Sequence, residues 1–118
     1  MNNQSSGLLG ENAACAFLQR QKYRILERNY RKRCGEIDII AQKGNKIVFV
    51  EVKTRSGSLY GTPGEAVTHT KQQKIIKTAQ AYICENNLDA EFSFDVIEIF
   101  YKGTAVLSLN HIENAFST

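Results

Sequence analysis

The sequence predicts an α/β fold, a mixed β-sheet with helices packed against it in the order α-β-β-β-α-β-β. Three observations carry this. Near the N-terminus, Leu9, Ala13, Ala16, Phe17 and Arg20 follow helical spacing, so one helix face is largely apolar. The stretch 35–55, GEIDIIAQKGNKIVFVEVKTR, reads as two strands joined by a short turn. The stretch 91–101, EFSFDVIEIFY, alternates as a strand should. A length of 118 residues suits one compact domain over 1–118, and no repeat, low-complexity tract or linker divides it.

The elements follow in order. Ser5 or Ser6 can cap a first helix that runs to about Gln21, with Glu11 in its early turns where the helix dipole favours an anion. Residues 23–31 look like a strand, with Tyr23, Ile25 and Tyr30 as β-formers. The hairpin strands cover 36–42 and 46–54, and Lys43-Gly44-Asn45 turns between them. Residues 55–64, with three glycines, two serines and the only proline, form a loop expected to be mobile. A second helix follows, with Thr70 and Gln73 in the pattern of a capping box. Ile75, Ile76, Ala79, Tyr82 and Ile83 are its buried stripe. Lys102-Gly103-Thr104 then turns the chain into a last strand, AVLSLNHI.

Composition narrows the setting. Cys15, Cys34 and Cys84 lie far apart and form neither a CxxC pair nor a zinc-spaced cluster, which points to reduced thiols. No basic-then-apolar leader opens the chain, and no apolar run approaches the roughly 20 residues that span a bilayer. A cytoplasmic protein without a membrane partner is expected. The net charge is +3, but residues 1–85 hold 14 Lys/Arg against 7 Asp/Glu, whereas 86–118 hold one lysine against five acids. Seven of the residues between 20 and 33 are basic, among them Arg31, Lys32 and Arg33. Such a cluster can bind phosphates by displacing counterions. A solvated surface without a partner accounts for the same charges.

The hairpin poses the chemical question. Strand side chains alternate faces, so Ile47, Phe49, Glu51 and Lys53 share one side and Val48, Val50 and Val52 the other. On the preceding strand Glu36, Asp38 and Ile40 are expected on one face. Closing at Gly44 makes Asp38 and Glu51 cross-strand neighbours. Two carboxylates held that close repel. A salt bridge to Lys53 relieves part of this, and a divalent cation relieves it better. Mg²⁺ takes one or two protein carboxylates, with waters and phosphate completing its shell. A lysine beside it can stabilise charge on a phosphate in the transition state or orient the attacking water. The layout therefore suggests metal-assisted phosphodiester hydrolysis. An ordinary surface Glu–Lys pair is the plainer reading of the same residues.

GEIDIIAQKGNKIVFVEVKTR resembles the signature of the YraN family of predicted endonucleases, which are similar to archaeal Holliday junction resolvases and belong to the restriction-endonuclease-like class. GLLGENAACAFL, YGTPGEAVTHTKQQKIIKTAQAYI and FSFDVIEI resemble further family segments in the same order, so the resemblance covers nearly the whole chain. It implies Asp38 and Glu51 as ligands of Mg²⁺ or Mn²⁺, with the Val52 carbonyl as another. It implies Lys53 as the catalytic lysine and Glu11 as an extra acid from the first helix. The broad class usually has proline before the aspartate. Here Ile37 stands there, a departure shared by the family. The implied substrate is DNA, branched or damaged, and the implied assembly leaves room for a homodimer.

Other residues have two readings. Arg31, Lys32, Arg33 and Arg55 are candidate phosphate contacts, and Tyr60 in the glycine-rich loop can stack on a base or simply pack the loop. Lys71 or Gln72, opening the second helix, can reach the site or form a solvated face. Glu36 is either an outer acid of the site or a solvent residue. Asp95 is expected to anchor a nearby loop, and His69 and His111 stand alone. Two other functions compete with cleavage. One is a nucleic-acid-binding module without turnover; the other is an adaptor working through the acidic C-terminal strands.

Overall fold

The computed structural model describes residues 4–56 and 67–118. Its elements are α1 (Gln4–Arg20), β1 (Arg24–Lys32), β2 (Gly35–Lys43), β3 (Lys46–Ser56), α2 (His69–Glu85), β4 (Glu91–Lys102) and β5 (Ala105–Phe116). This is the order expected. The strands form one sheet in the order β1-β2-β3-β4-β5. β3 and β4 are parallel and the other neighbours antiparallel, so α2 is the crossover of a β-α-β unit.

The two faces of the sheet carry separate cores. Ala14 and Leu18 of α1 pack on Ile39, Ala41, Val48, Val50, Ile97 and Ile99. Ile75, Ile76, Ala79 and Tyr82 of α2 pack on Ile37, Ile40, Ile47, Phe49 and Phe94. The alternation of β3 is as expected, with Ile47 and Phe49 on the α2 side and Val48 and Val50 on the α1 side. Gly44 makes the tight β2–β3 turn at φ 60°, where a side chain would be strained.

Four boundaries differ from the expected ones by two residues or more. The first helix begins at Gln4, so Ser5 and Ser6 lie inside it. Serine costs a helix only about half a kcal/mol, too little to stop it there. The cap of α2 is Thr68, not Thr70: Thr68 is extended, and its Oγ1 accepts from Lys71 N at 3.2 Å. β3 continues through Arg55 to Ser56, because β4 pairs with it along that whole length. β5 runs on to Phe116 past Asn114, whose φ of 52° absorbs an irregularity in the pairing. The loop expected over 55–64, Tyr60 included, falls mostly outside the described residues.

Candidate active site

The site forms where the β2–β3 hairpin opens. Regular pairing ends at Ile39 and Val50. Beyond it the Asp38 carboxylate takes the place of a backbone acceptor, and Val52 N–H donates to its Oδ2 at 2.8 Å. The alternation of β2 slips at this point. Ile37 packs towards α2 and Ile39 towards α1, although they are two residues apart. Glu36, Asp38 and Ile40 therefore do not share one uninterrupted face, contrary to the sequence reading. On β1, Arg28 pairs with Ile39 and Tyr30 with Ile37, and Asn29 between them has a left-handed φ of 52°. The irregularity thus crosses both strands and turns Asp38 towards Glu51.

Glu51 is 5 % exposed and bonded to Lys71 Nζ at 2.5 Å. Lys71, and not Lys53, is its cationic partner. Lys53 cannot fold back on its own strand neighbour as easily as Lys71 reaches across from the first turn of α2. Burial, followed by the negative charge of Glu51, raises the Asp38 carboxyl to about 7, although the Val52 N–H favours its ionised form. Burial pulls the Lys71 ammonium downward, but the bond and charge of Glu51 outweigh it, so its pKa is raised.

A cleft of about 380 Å³ joins these groups, lined by Gly7, Glu11, Asp38, Glu51, Val52, Lys53, Thr54 and Lys71. Lys53 is half-buried and forms no ion pair among the described residues. Glu11 reaches the cleft because α1 crosses β3 closely at Gly10, where any Cβ would collide with Thr54 Cγ2. Asn29 Nδ2 donates to Glu11 Oε1 at 3.2 Å, and Arg28 lies 3.6 Å from the same oxygen.

Asp38, Glu51, Val52, Lys53, Glu11 and Lys71 are thus brought together. Other candidates sit elsewhere. Gln72 donates to Val67 O at 3.1 Å and steadies the entry to α2. Arg31 pairs with Glu36 at 3.2 Å, Lys32 with Glu85 at 2.6 Å and Arg55 with buried Glu98 at 3.5 Å. Arg33 is exposed in the β1–β2 turn. Asp95 is buried and anchors a strand instead of a loop: Ser93 Oγ of its own strand donates to it, and His111 and the Asn114 N–H of β5 also bond to it. His111 does not stand alone. Asn29 and Gly10 had no separate signal in the sequence beyond a polar residue inside a strand and a glycine just before Glu11.

Among the described residues no group of three His, Cys, Asp or Glu side chains stands close enough to hold a metal. The donor set nevertheless fits a hard cation. Two carboxylates share the cleft, and burial, followed by the charge of Glu51, raises the pKa of Asp38. Mg²⁺ or Mn²⁺ needs only one or two such carboxylates, the rest of the shell being backbone oxygen, water and phosphate.

A mixed sheet between two helices, in this order and with an Asp…Glu-x-Lys cleft on the opened hairpin, is an architecture of the restriction-endonuclease-like class. The chain belongs to the Uncharacterised protein family UPF0102, whose profile matches residues 10–99 and which is the YraN family of the sequence resemblance. It is 49% identical over 117 residues to a UPF0102 protein of Geobacter metallireducens, covering 98% of this chain and 95% of the relative. It is 48% identical over 117 residues to one of Clostridium botulinum, covering 97% and 95%. It is 47% identical over 122 residues to one of Alkaliphilus oremlandii, covering 97% and 99%.

Proposed function

We propose that the protein is a Mg²⁺- or Mn²⁺-dependent endonuclease that hydrolyses phosphodiester bonds in branched or damaged DNA. The observation that carries this is the pair Asp38 and Glu51, held together in a cleft beside Lys53, with the Asp38 carboxyl raised to about 7. Repulsion between two carboxylates in one cleft is what a divalent cation would relieve, and the pair would supply that cation's protein ligands.

Asp38 and Glu51 would hold the cation, with Val52 offering its carbonyl. When bound, the cation would neutralise charge on the scissile phosphate and acidify the attacking water. Lys53 orients that water and stabilises the charge that grows on the phosphate oxygens. Glu11, fixed by Asn29 and Arg28, bounds the cleft on the α1 side as a further acid. Arg33, and Arg31 and Lys32 once they leave their acidic partners, contact DNA phosphates. The three cysteines are free thiols, which suits the reducing cytoplasm. Among the described residues no helix is long and apolar enough to cross a membrane.

One observation favours a binding module without turnover: Glu51 already has a cationic partner in Lys71. Cleavage assays on linear, flapped and four-way DNA separate the two. The endonuclease predicts cutting that needs Mg²⁺ or Mn²⁺ and disappears in Glu51→Gln. Metal-independent binding with no cutting of any substrate supports the module instead.

A further inference from the structure

The proposed cation position and the Lys71 ammonium make claims on the same atoms. Glu51 is nearly sealed from solvent, and its Oε2 is bonded to Lys71 Nζ at 2.5 Å. Lys71 is different in kind from the other residue of its charge in the cleft. Lys53 sits on β3 itself, fixed two residues from Glu51 on the same face. Lys71 comes from the first turn of α2, and its side chain is 46% exposed. It therefore has both a buried anion to hold and open solvent to leave for. Its backbone is pinned independently, since Lys71 N–H donates to the Thr68 cap. Losing the Glu51 contact would not unwind the helix start. A buried carboxylate without a counter-ion is costly, and in the metal-free protein Lys71 is the cation that stands at Glu51.

Resting on the metal-site reading above, we propose that Lys71 is an internal counter-ion that occupies Glu51 until a divalent cation displaces it, and that the displaced ammonium then engages DNA phosphate. The lysine would keep the empty site folded and hold its metal affinity down. Because the two cations exclude each other at Glu51, a phosphate that draws Lys71 away favours metal binding. DNA and metal would then bind cooperatively, and by linkage the coupling is reciprocal.

Two measurements test this. The first is calorimetric titration of Mn²⁺ into the DNA-free protein, into Lys71→Gln and into Lys71→Arg. Removing the competing charge should tighten Mn²⁺ binding by roughly tenfold, while Lys71→Arg should bind as the parent does. The second needs no substitution: the reactivity of the Lys71 amine towards a small acylating reagent, followed by mass spectrometry, should rise when Mg²⁺ is added. Equal or weaker Mn²⁺ binding in Lys71→Gln, or reactivity that ignores Mg²⁺, overturns the counter-ion role and leaves the metal site standing. If neither the parent nor Lys71→Gln binds Mn²⁺, the metal site itself is wrong, and this role falls with it.

Discussion

At the scale of single residues, Asp38 carries the clearest consequence. Its carboxyl is raised from 3.8 to about 7 in the folded chain, by burial and then by Glu51. The native state therefore holds a proton that the unfolded state has already released between about pH 4 and pH 7. Over that window the metal-free protein should lose stability as pH rises, by on the order of a few kcal/mol. Asp38→Asn should flatten this dependence, because an amide oxygen can still accept from Val52 N–H and carries no charge to repel Glu51. Thermal melting of both proteins in chelator from pH 4 to 8 checks it. A variant that melts well below the parent at pH 8 would mean that Asp38 is a structural partner. Lys53→Ala should behave differently. It should bind Mn²⁺ and DNA as the parent does, yet lose single-turnover cleavage by about two orders of magnitude or more. Strand parity made Glu51 and Lys53 legible in the sequence, and the Gly44 turn brought in Asp38. The partner of Glu51 was not legible as such. Lys71 lies 20 residues further on, beyond the loop, where no local period links the two.

At the scale of elements, the cleft depends on how closely α1 lies on β3. Gly10 permits that approach, and an alanine there would drive its methyl into Thr54 Cγ2. Gly10→Ala should cost about 1–3 kcal/mol by overpacking and move Glu11 out of the cleft. Thr54→Ser removes the colliding methyl, so the double variant should recover most of the loss in a double-mutant cycle of denaturant melts. Additive losses would show that the two residues do not meet. The start of α2 shows why caps were harder to read. Thr68-His69-Thr70 offers two threonines, and only Thr70 has a glutamine three residues later. The true cap is followed at that spacing by Lys71, whose side chain is taken up by Glu51 instead of closing a capping box. A tertiary contact outweighed the local motif. The slip at Asp38 was hidden for a related reason, since period-two alternation assumes an unbroken ladder.

At the scale of the whole molecule, charge sorts along the chain, and acidic residues offset part of the basic cluster in space. Glu36 and Glu85 already hold Arg31 and Lys32, whereas Arg33 has no ion pair among the described residues. DNA affinity should fall with salt at a slope of about −0.9 per phosphate neutralised. Arg33→Ala should weaken binding to every sequence alike, and more than Arg31→Ala does. A flat salt response in a fluorescence anisotropy titration would remove the phosphate interface. The mixed sheet was legible from the run of elements. The strand order and the parallel β3–β4 pairing were not, because they depend on where α2 returns the chain.

Calorimetric titration of Mn²⁺ tests most directly whether Asp38 and Glu51 form a cation site. The parent should show saturable binding, and both Asp38→Asn and Glu51→Gln should lose it; in chelator neither variant should melt far below the parent, and Asp38→Asn should melt above it at pH 8. Binding that survives both substitutions, or metal-free variants that melt far below a parent unable to bind Mn²⁺, would contradict the cation site.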